Sequence, residues 1–235
     1  MDSTNNYAAS LPESDKVEGL VVVAEEQSQG RGQGSKIWLS EPGKNLMATV
    51  LLRPLFLDTS RVFVLNKAVA LSITHAVNEG LQAKKAKIKW PNDVLCDGLK
   101  LAGILTENVV RGSQIVSYLA GFGVNVNQIN FPPEAGRPGS IQLISGRETQ
   151  VDDVLEAICS KLEAYYLLLR SGRFEEIAKE YDDHLWQCSV RIRLKGEETD
   201  FKAQVKGVDA AGKLLVSDAH GNTLALAHGE AELLS

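Results

Sequence analysis

Lys100 stands just beyond Asp97-Gly98, and Arg31 sits inside Gly30-Arg31-Gly32-Gln33-Gly34; cations so placed can neutralise an anionic substrate. Each also has a bland explanation, a solvated edge lysine in the first case and a mobile surface loop in the second. The glycine spacing resembles the opening of a dinucleotide-binding fold, but it reads GxGxG, and Ser35-Lys36-Ile37-Trp38-Leu39 has no helical period to present an N-terminus to a pyrophosphate. The absence of GKS or GKT removes a Walker phosphate loop. What remains is a backbone-rich loop with one arginine, suited to closing over an anion with amide donors and a guanidinium.

A second group lies in Gly121-Phe122-Gly123-Val124-Asn125-Val126, where period-2 geometry puts both glycines and Asn125 on one sheet face and the apolar residues on the other. Glycine in a strand marks close approach, either of a ligand or of a packed helix, and Asn125 adds amide hydrogen bonding beside the gap. Asn92 and Asp93 after Trp90-Pro91 fit strand-entry hydrogen bonding as well as a site, and Trp38 fits a core as well as a ring stack. His75, His184, His220 and His228 lack metal-ligand spacing, and no nucleophile-base pair is recognisable.

The elements that must hold these residues follow from periodicity. Asp2, Ser3 and Thr4 precede helix formers as capping residues do, and Leu20 to Ala24 reads as a buried strand leading to the glycine loop. Asn45 to Leu52 is a strand and Ser60 to Glu79 a long buried helix. Lys87 to Trp90, Asp93 to Cys96, Leu99 to Val110 and Gln114 to Val126 are strands joined through Asp97-Gly98 and Arg111-Gly112-Ser113. Phe131 to Gly139 is a loop, and Val151 to Arg170 and Phe174 to Leu185 are helices. Ser189 to Leu194, Thr199 to Val208, Leu214 to Ser217, Thr223 to Leu226 and Glu230 to Leu234 are short strands, with turns at Lys195-Gly196, Ala211-Gly212 and His220-Gly221; they suggest a small β-barrel. The expected division is residues 1–187 and 188–235, in an α+β chain.

With 235 residues, 44% hydrophobic and 23% charged, the chain can bury a full-sized core. Its net charge of −5, with no basic run longer than Lys84-Lys85-Ala86-Lys87, argues against DNA. Cys96, Cys159 and Cys188 are odd in number and scattered, reading as reduced thiols. Neither a secretory signal nor a membrane span is visible, since Asn66, Lys67 and His75 interrupt the longest apolar stretch. A cytoplasmic protein is expected.

In combination and order, Asp2-Ser3-Thr4-Asn5, Glu25 to Gly32 reaching Trp38, Lys89-Trp90-Pro91-Asn92-Asp93, Lys100-Leu101-Ala102-Gly103-Ile104-Leu105 and Gly121 to Asn125 resemble the biotin protein ligase family along the whole chain. KWPND and KLAGIL are the most specific parts. The resemblance implies a mixed β-sheet with helices on one side, like class II aminoacyl-tRNA synthetases, followed by a small C-terminal barrel. It implies that biotin and MgATP form biotinyl-5′-AMP, which a lysine of a biotin carboxyl carrier protein then attacks. Ser3, Thr4 and Gln27 would bond biotin's ureido ring; Gly103, Gly121 and Gly123 would let the bicycle approach the sheet. Lys100 would lie between biotin's carboxylate and the α-phosphate, with Arg31, Gly30 and Gly32 closing over the same charges. Trp38 would pack on adenine; Lys89, Asn92 and Asn125 would lie near the nucleotide, and Asp93 would orient the incoming lysine. No resident metal ligand is implied; Mg2+ would accompany ATP.

The chain departs from the family pattern in three ways. Gln33 and Gly34 stand where many members have a second arginine, so adenylate retention should be weaker. The start at Asp2-Ser3-Thr4 lacks a preceding strand, leaving Ser3 and Thr4 near a fraying terminus, and no DNA-binding helix-turn-helix precedes them, so repressor function and a DNA partner are not expected. A homodimer through the central sheet is compatible with the family. A lipoate or octanoate ligase is the rival enzyme, and a non-catalytic biotin-binding module the rival outside enzymes; KWPND and KLAGIL weigh against the first, Arg31 with Lys100 against the second.

Overall fold

Apolar runs of period 2 pair into two sheets, and the long 3.6-period segments cover one face of the larger. The computed structural model describes the chain apart from residues 35, 84, 187, 188, 195, 197–199 and 235. Cys188, Lys195 of the expected turn, Thr199 at an expected strand start and the 187/188 boundary therefore lie outside the described residues. Strands β1 (Val21–Ala24), β2 (Leu46–Leu52), β3 (Lys87–Lys89), β4 (Asp93–Cys96), β5 (Leu99–Arg111) and β6 (Gln114–Val124) form a six-stranded sheet in the order β1-β2-β6-β5-β4-β3. All five pairings are antiparallel; among the described residues, parallel contact is limited to single bridges of Ile88 with Leu185 and Lys100 with Pro138.

The two sheet faces have different work. Leu46, Ala48, Val50 and Leu52 of β2 and Tyr118, Ala120, Phe122 and Val124 of β6 join one core with helices α2 (Val62–Leu81), α4 (Val151–Arg170) and α5 (Phe174–His184). Of the alternate residues, Thr49, Leu51, Leu119 and Gly121 face the short helix α1 (Thr4–Ser10), and Gly123 faces Trp38. The long helices thus occupy one side as expected, while α1 lies on the other, where it walls the site.

One irregularity decides where Lys100 points. Val94 pairs with Ala102 but Leu95 pairs with Lys100, so Leu101 is an extra residue in β5. Such a bulge breaks the two-residue alternation. Lys100 accordingly turns toward Gly103, with its Nζ 3.3 Å from where a Gly103 Cβ would stand, instead of joining Ala102 and Ile104 in the core.

The C-terminal strands β7 (Ser189–Leu194), β8 (Asp200–Val208), β9 (Leu214–Asp218), β10 (Thr223–Leu226) and β11 (Ala231–Leu234) form one sheet, ordered β10-β9-β8-β7-β11. Where a small β-barrel is expected, the strands form one sheet, and among the described residues no pairing joins β10 to β11 to close it. Residues 227–230 nevertheless link these opposite edges, and Glu230 N–H bonds Ala227 O at 3.1 Å. So short a link reaches about 17 Å at most, whereas a flat sheet would set the edges roughly 19 Å apart. The sheet must curl, with no hydrogen-bonded seam among the described residues.

This sheet shares the main core through Ala203, Val205, Val208, Leu214, Val216 and Leu226. Polar ties add to it: Lys67 Nζ donates to Val208 O at 2.8 Å and Trp90 Nε1 to Gly212 O at 2.9 Å. A short helix missed by sequence reasoning, α3 (Ile141–Ser145), is capped by the Ser140 hydroxyl accepting Leu143 N–H at 3.1 Å. Five residues are too few to show a period. Cys96 is buried and Cys159 half-buried, and burial pushes both thiols above their ordinary pKa.

Candidate active site

The N-terminal segment is pinned. Ser28 N–H donates to Met1 O and Gln29 N–H to Asp2 O at 3.0 and 2.9 Å, and Ser3 and Thr4 are 2% and 4% exposed, which corrects the expectation of a fraying terminus. Ser3 takes the N-cap position of α1, but its side chain makes no cap; Gln27 Oε1 accepts the Thr4 N–H at 2.7 Å instead. The Ser3 hydroxyl is left facing the cleft. Thr49 bridges Thr4 Oγ1 at 2.8 Å and Asn5 Oδ1 at 2.6 Å.

The glycines on β5 and β6 are covered by this chain's own side chains. A Cβ on Gly121 would lie 2.0 Å from Asn5 Oδ1, and one on Gly123 only 2.4 Å from Trp38 Cε2. The Trp38 ring also reaches Gly103, whose Cβ would be 3.0 Å from Cζ3. The close approach inferred for these glycines is real, and in this structure an asparagine and an indole make it. Trp38 therefore lies on the face expected for the biotin bicycle, which differs from its expected stack on adenine.

The loop bearing Trp38 folds back on itself. Trp38 N–H donates to Gly30 O at 2.9 Å, Gly32 N–H to Lys36 O at 2.8 Å, and Arg31 bridges Ile37. Gly30 packs directly on the Trp38 carbonyl, where a Cβ would come within 2.5 Å. The Arg31 guanidinium meets Glu107 at 2.9 Å and Asn6 Oδ1 at 2.9 Å, so its donors are engaged by the chain's own side chains.

Lys100 Nζ lies 2.7 Å from Asp93 Oδ1 and 5.7 Å from the centre of the Trp38 ring. Asn92 Nδ2 donates to Ile104 O at 2.9 Å, tying the KWPND loop to β5. Asn125, 4% exposed, donates to Gly139 O at 2.9 Å and to Lys100 O at 3.3 Å. Lys89 Nζ lies 5.9 Å above the Trp186 ring. All these side chains open on one cleft of about 1070 Å³. That is at the upper end for a small-molecule site and roomy enough for an acid and a nucleotide together.

Ser3, Thr4, Gln27, Arg31, Gly32, Trp38, Lys89, Asn92, Asp93, Lys100, Gly103, Gly121, Gly123 and Asn125 all line the cleft, and Gly30 supports it from behind Trp38. Sequence reasoning missed Asn5, Lys36, Arg137 and Trp186 on its wall, and Glu107 behind it. For Glu107 a signal existed, since Gly103, Leu105 and Glu107 share one face by period 2. Among the described residues, buried side-chain polar atoms without a partner are Trp38 Nε1, Asn125 Oδ1 and Tyr181 Oη; the first two belong to cleft residues. No cluster of three or more His, Cys, Asp or Glu side chains suited to a metal occurs among the described residues.

A family model described as the biotin/lipoate A/B protein ligase family matches residues 1–125, the stretch that holds all the expected site residues. The chain belongs to that family. Within this biotin/lipoate ligase family, the bifunctional ligase/repressor BirA of Bacillus spizizenii is 30% identical over 225 residues, covering 94% of this chain and 68% of that protein. The biotin–[acetyl-CoA-carboxylase] ligase of Paracoccus denitrificans is 28% identical over 221 residues, covering 92% and 90%. Among solved structures, the biotin protein ligase from Aquifex aeolicus in complex with biotin and ATP superposes with a TM-score of 0.82 at 24% identity, covering 99% of this chain and 95% of that one. That likeness shows the ligase-family fold.

Proposed function

We propose that this chain is an ATP-dependent biotin ligase. Biotin's carboxylate oxygen attacks the α-phosphorus of ATP, breaking the α–β anhydride and releasing pyrophosphate. The ε-amine of a lysine on a biotin carboxyl carrier protein then attacks the acyl carbon, releasing AMP and losing a proton. The observation that carries this reading is the Leu101 bulge, which brings Lys100 out of the core pattern to the glycine face of β5, beside Asp93.

Joining two anions is chiefly a matter of neutralising and aligning them, and no covalent enzyme intermediate is needed. Lys100 would hold both anions at its ammonium. Ser3, Thr4 and Gln27 would bond the ureido ring, Gly103 and Gly123 would form the floor on which biotin displaces Trp38, and Gly121 would seat the Asn5 wall beside it. Gly30, Arg31 and Gly32 would close the loop over the ligand, excluding water from a hydrolysis-prone anhydride. Trp38, Lys89, Asn92 and Asn125 would contact the nucleotide. Asp93, already paired with Lys100, would orient the carrier lysine. Mg2+ would arrive on the triphosphate, held by phosphate oxygens and water more than by a protein cage.

The Paracoccus denitrificans relative is named for biotin and for the acetyl-CoA carboxylase that receives it, which supports biotin over lipoate. No helix among the described residues is long and apolar enough to cross a membrane. We take the protein to work in the cytoplasm, without a DNA partner, and to pair as a homodimer along the sheet. We also take residues 1–187 as the catalytic part and 188–235 as the C-terminal part, from the change of element type between them. The test is biotin-dependent ATP–pyrophosphate exchange with lipoate as competing acid. Exchange with biotin alone, abolished in Lys100→Ala, is the expected result; no exchange with either acid would sink the reading in favour of a binding module.

A further inference from the structure

The Glu107 carboxylate is the meeting point of three segments. It accepts from Arg31 Nη2 at 2.9 Å and Arg31 Nη1 at 3.2 Å, a two-pronged contact, and from Asn5 Nδ2 at 2.8 Å. Asn5 belongs to α1 and fills the space above Gly121; Arg31 belongs to the loop that carries Trp38; Glu107 lies on β5, four residues beyond Gly103. Arg31 Nη1 adds a bond to Asn6 Oδ1 at 2.9 Å. A planar guanidinium so engaged by a carboxylate is fixed in direction as well as in place.

We propose that Glu107 is a positioning residue for the reaction: it holds the 30–38 loop in register with α1 and β5, and Arg31 acts as the tether of that loop through Glu107 and not as a direct ligand of the substrate anions. This rests on the reading of the cleft as a biotin-adenylate site. The consequence is a division of labour between the two cations singled out in the sequence. Lys100, on the cleft floor beside Asp93, meets the substrate charge; Arg31, anchored at the rim, sets how long the loop stays shut. An exposed tether suits that task, because both side chains are over a third exposed and the contact can break and re-form as the loop opens.

Two measurements test it. In the ligand-free protein, trypsin cleavage after Lys36 reports loop opening, and Glu107→Gln should speed it about fivefold, the size an exposed ion pair supports. In the second, release of preformed biotinyl-5′-AMP is followed for the unaltered chain, Glu107→Gln, Arg31→Gln and the double variant. Each single change should speed release about fivefold, with the double no faster than either, because one contact is lost in all three. Melting temperatures should stay within a few degrees, which separates positioning from general destabilisation. Unchanged cleavage after Lys36 overturns the tether whatever the ligand. Multiplying effects in the double variant, or faster release in Arg31→Gln alone, would make Arg31 a direct ligand. If cleavage speeds up while the unaltered chain binds no adenylate, the tether stands and the ligand assignment fails.

Discussion

Replacing Gly121 with alanine places a methyl group where the Asn5 carboxamide now lies: the new Cβ would be 2.0 Å from Oδ1, 2.7 Å from Cγ and 2.9 Å from Nδ2. The backbone of β6 cannot retreat, because Gly121 is paired with Thr49 of β2 on one side and Leu105 of β5 on the other. Asn5 has to leave. It gives up bonds to Leu105 O, to the Glu107 carboxylate and from Thr49, all in a position only 3% exposed. At about 1 kcal/mol for each neutral bond and about 2 for the charged one, the loss is about 4 kcal/mol. For a chain of this size that lowers the melting temperature by about 8–16 °C. The assay is denaturant unfolding of four proteins: the unaltered chain, Gly121→Ala, Asn5→Ala and the double variant. In the Asn5→Ala background the new methyl has room, so Gly121→Ala should add less than about 1 kcal/mol. An equal loss in both backgrounds would refute eviction of Asn5 as the cause.

Four further outcomes are expected. Gln33→Arg supplies the second loop cation, and should slow release of biotinyl-5′-AMP; a measurable leak from the unaltered chain is expected, and a release half-life equal to that of an arginine-bearing homologue would contradict it. Removing the residues after about Gln187 uncovers Lys67 and Trp90, whose side chains bond Val208 O and Gly212 O, and should impair ligation; full transfer activity would show the C-terminal sheet to be dispensable. Burial holds the Lys67 ammonium below its usual pKa and raises the Asp182 carboxyl, which Lys67 in turn pulls down. A raised carboxyl pKa costs stability as pH climbs through it, so Lys67→Met should destabilise more at about pH 7.5 than at about pH 4 in paired unfolding curves, and equal losses would refute the coupling. Trp38→Phe removes a buried donor without a partner while keeping a ring on Gly123, and should leave ligand-free stability unchanged or higher while raising the KM for substrate; unaltered KM would mean the indole N–H has no ligand to meet.

Most of the fold was legible because its signals are local. Val21–Ala24, Leu46–Leu52 and the Asp97-Gly98 hairpin announce themselves by a β-branched run, an apolar run and a turn at which both residues have positive φ, 51° and 76°. Sheet closure was not legible, since whether β10 pairs with β11 depends on curvature summed over five strands. At the site, the gathering of Ser3, Gln27, Lys100 and Gly123 followed from motif order, yet the geometry that aims Lys100 did not. Period 2 alone would have put Lys100 with Ala102 in the core, and only the pairing with β4 shows Leu101 to be the extra residue. The partners of Arg31 and Trp38 were equally hidden, because both contacts cross between segments far apart in sequence.

Those two contacts follow from one physical demand. A sheet face floored by Gly103, Gly121 and Gly123 offers backbone but few side chains, and something must cover it. Asn5 covers Gly121 with its amide satisfied on both ends, and so belongs to the permanent wall. Trp38 covers Gly123 and Gly103 with its N–H unsatisfied, a state that costs about 1–3 kcal/mol. The orphaned Asn125 Oδ1 adds a second unmet bond, on an amide that donates to the Lys100 carbonyl. A donor without an acceptor and an acceptor without a donor, on residues of the cleft that holds the Lys100 ammonium, favour a ligand that carries both kinds of group and a negative charge. The two covers therefore differ in kind: Asn5 is held by bonds that a ligand would have to break, and Trp38 by packing that a ligand can replace while also meeting its N–H.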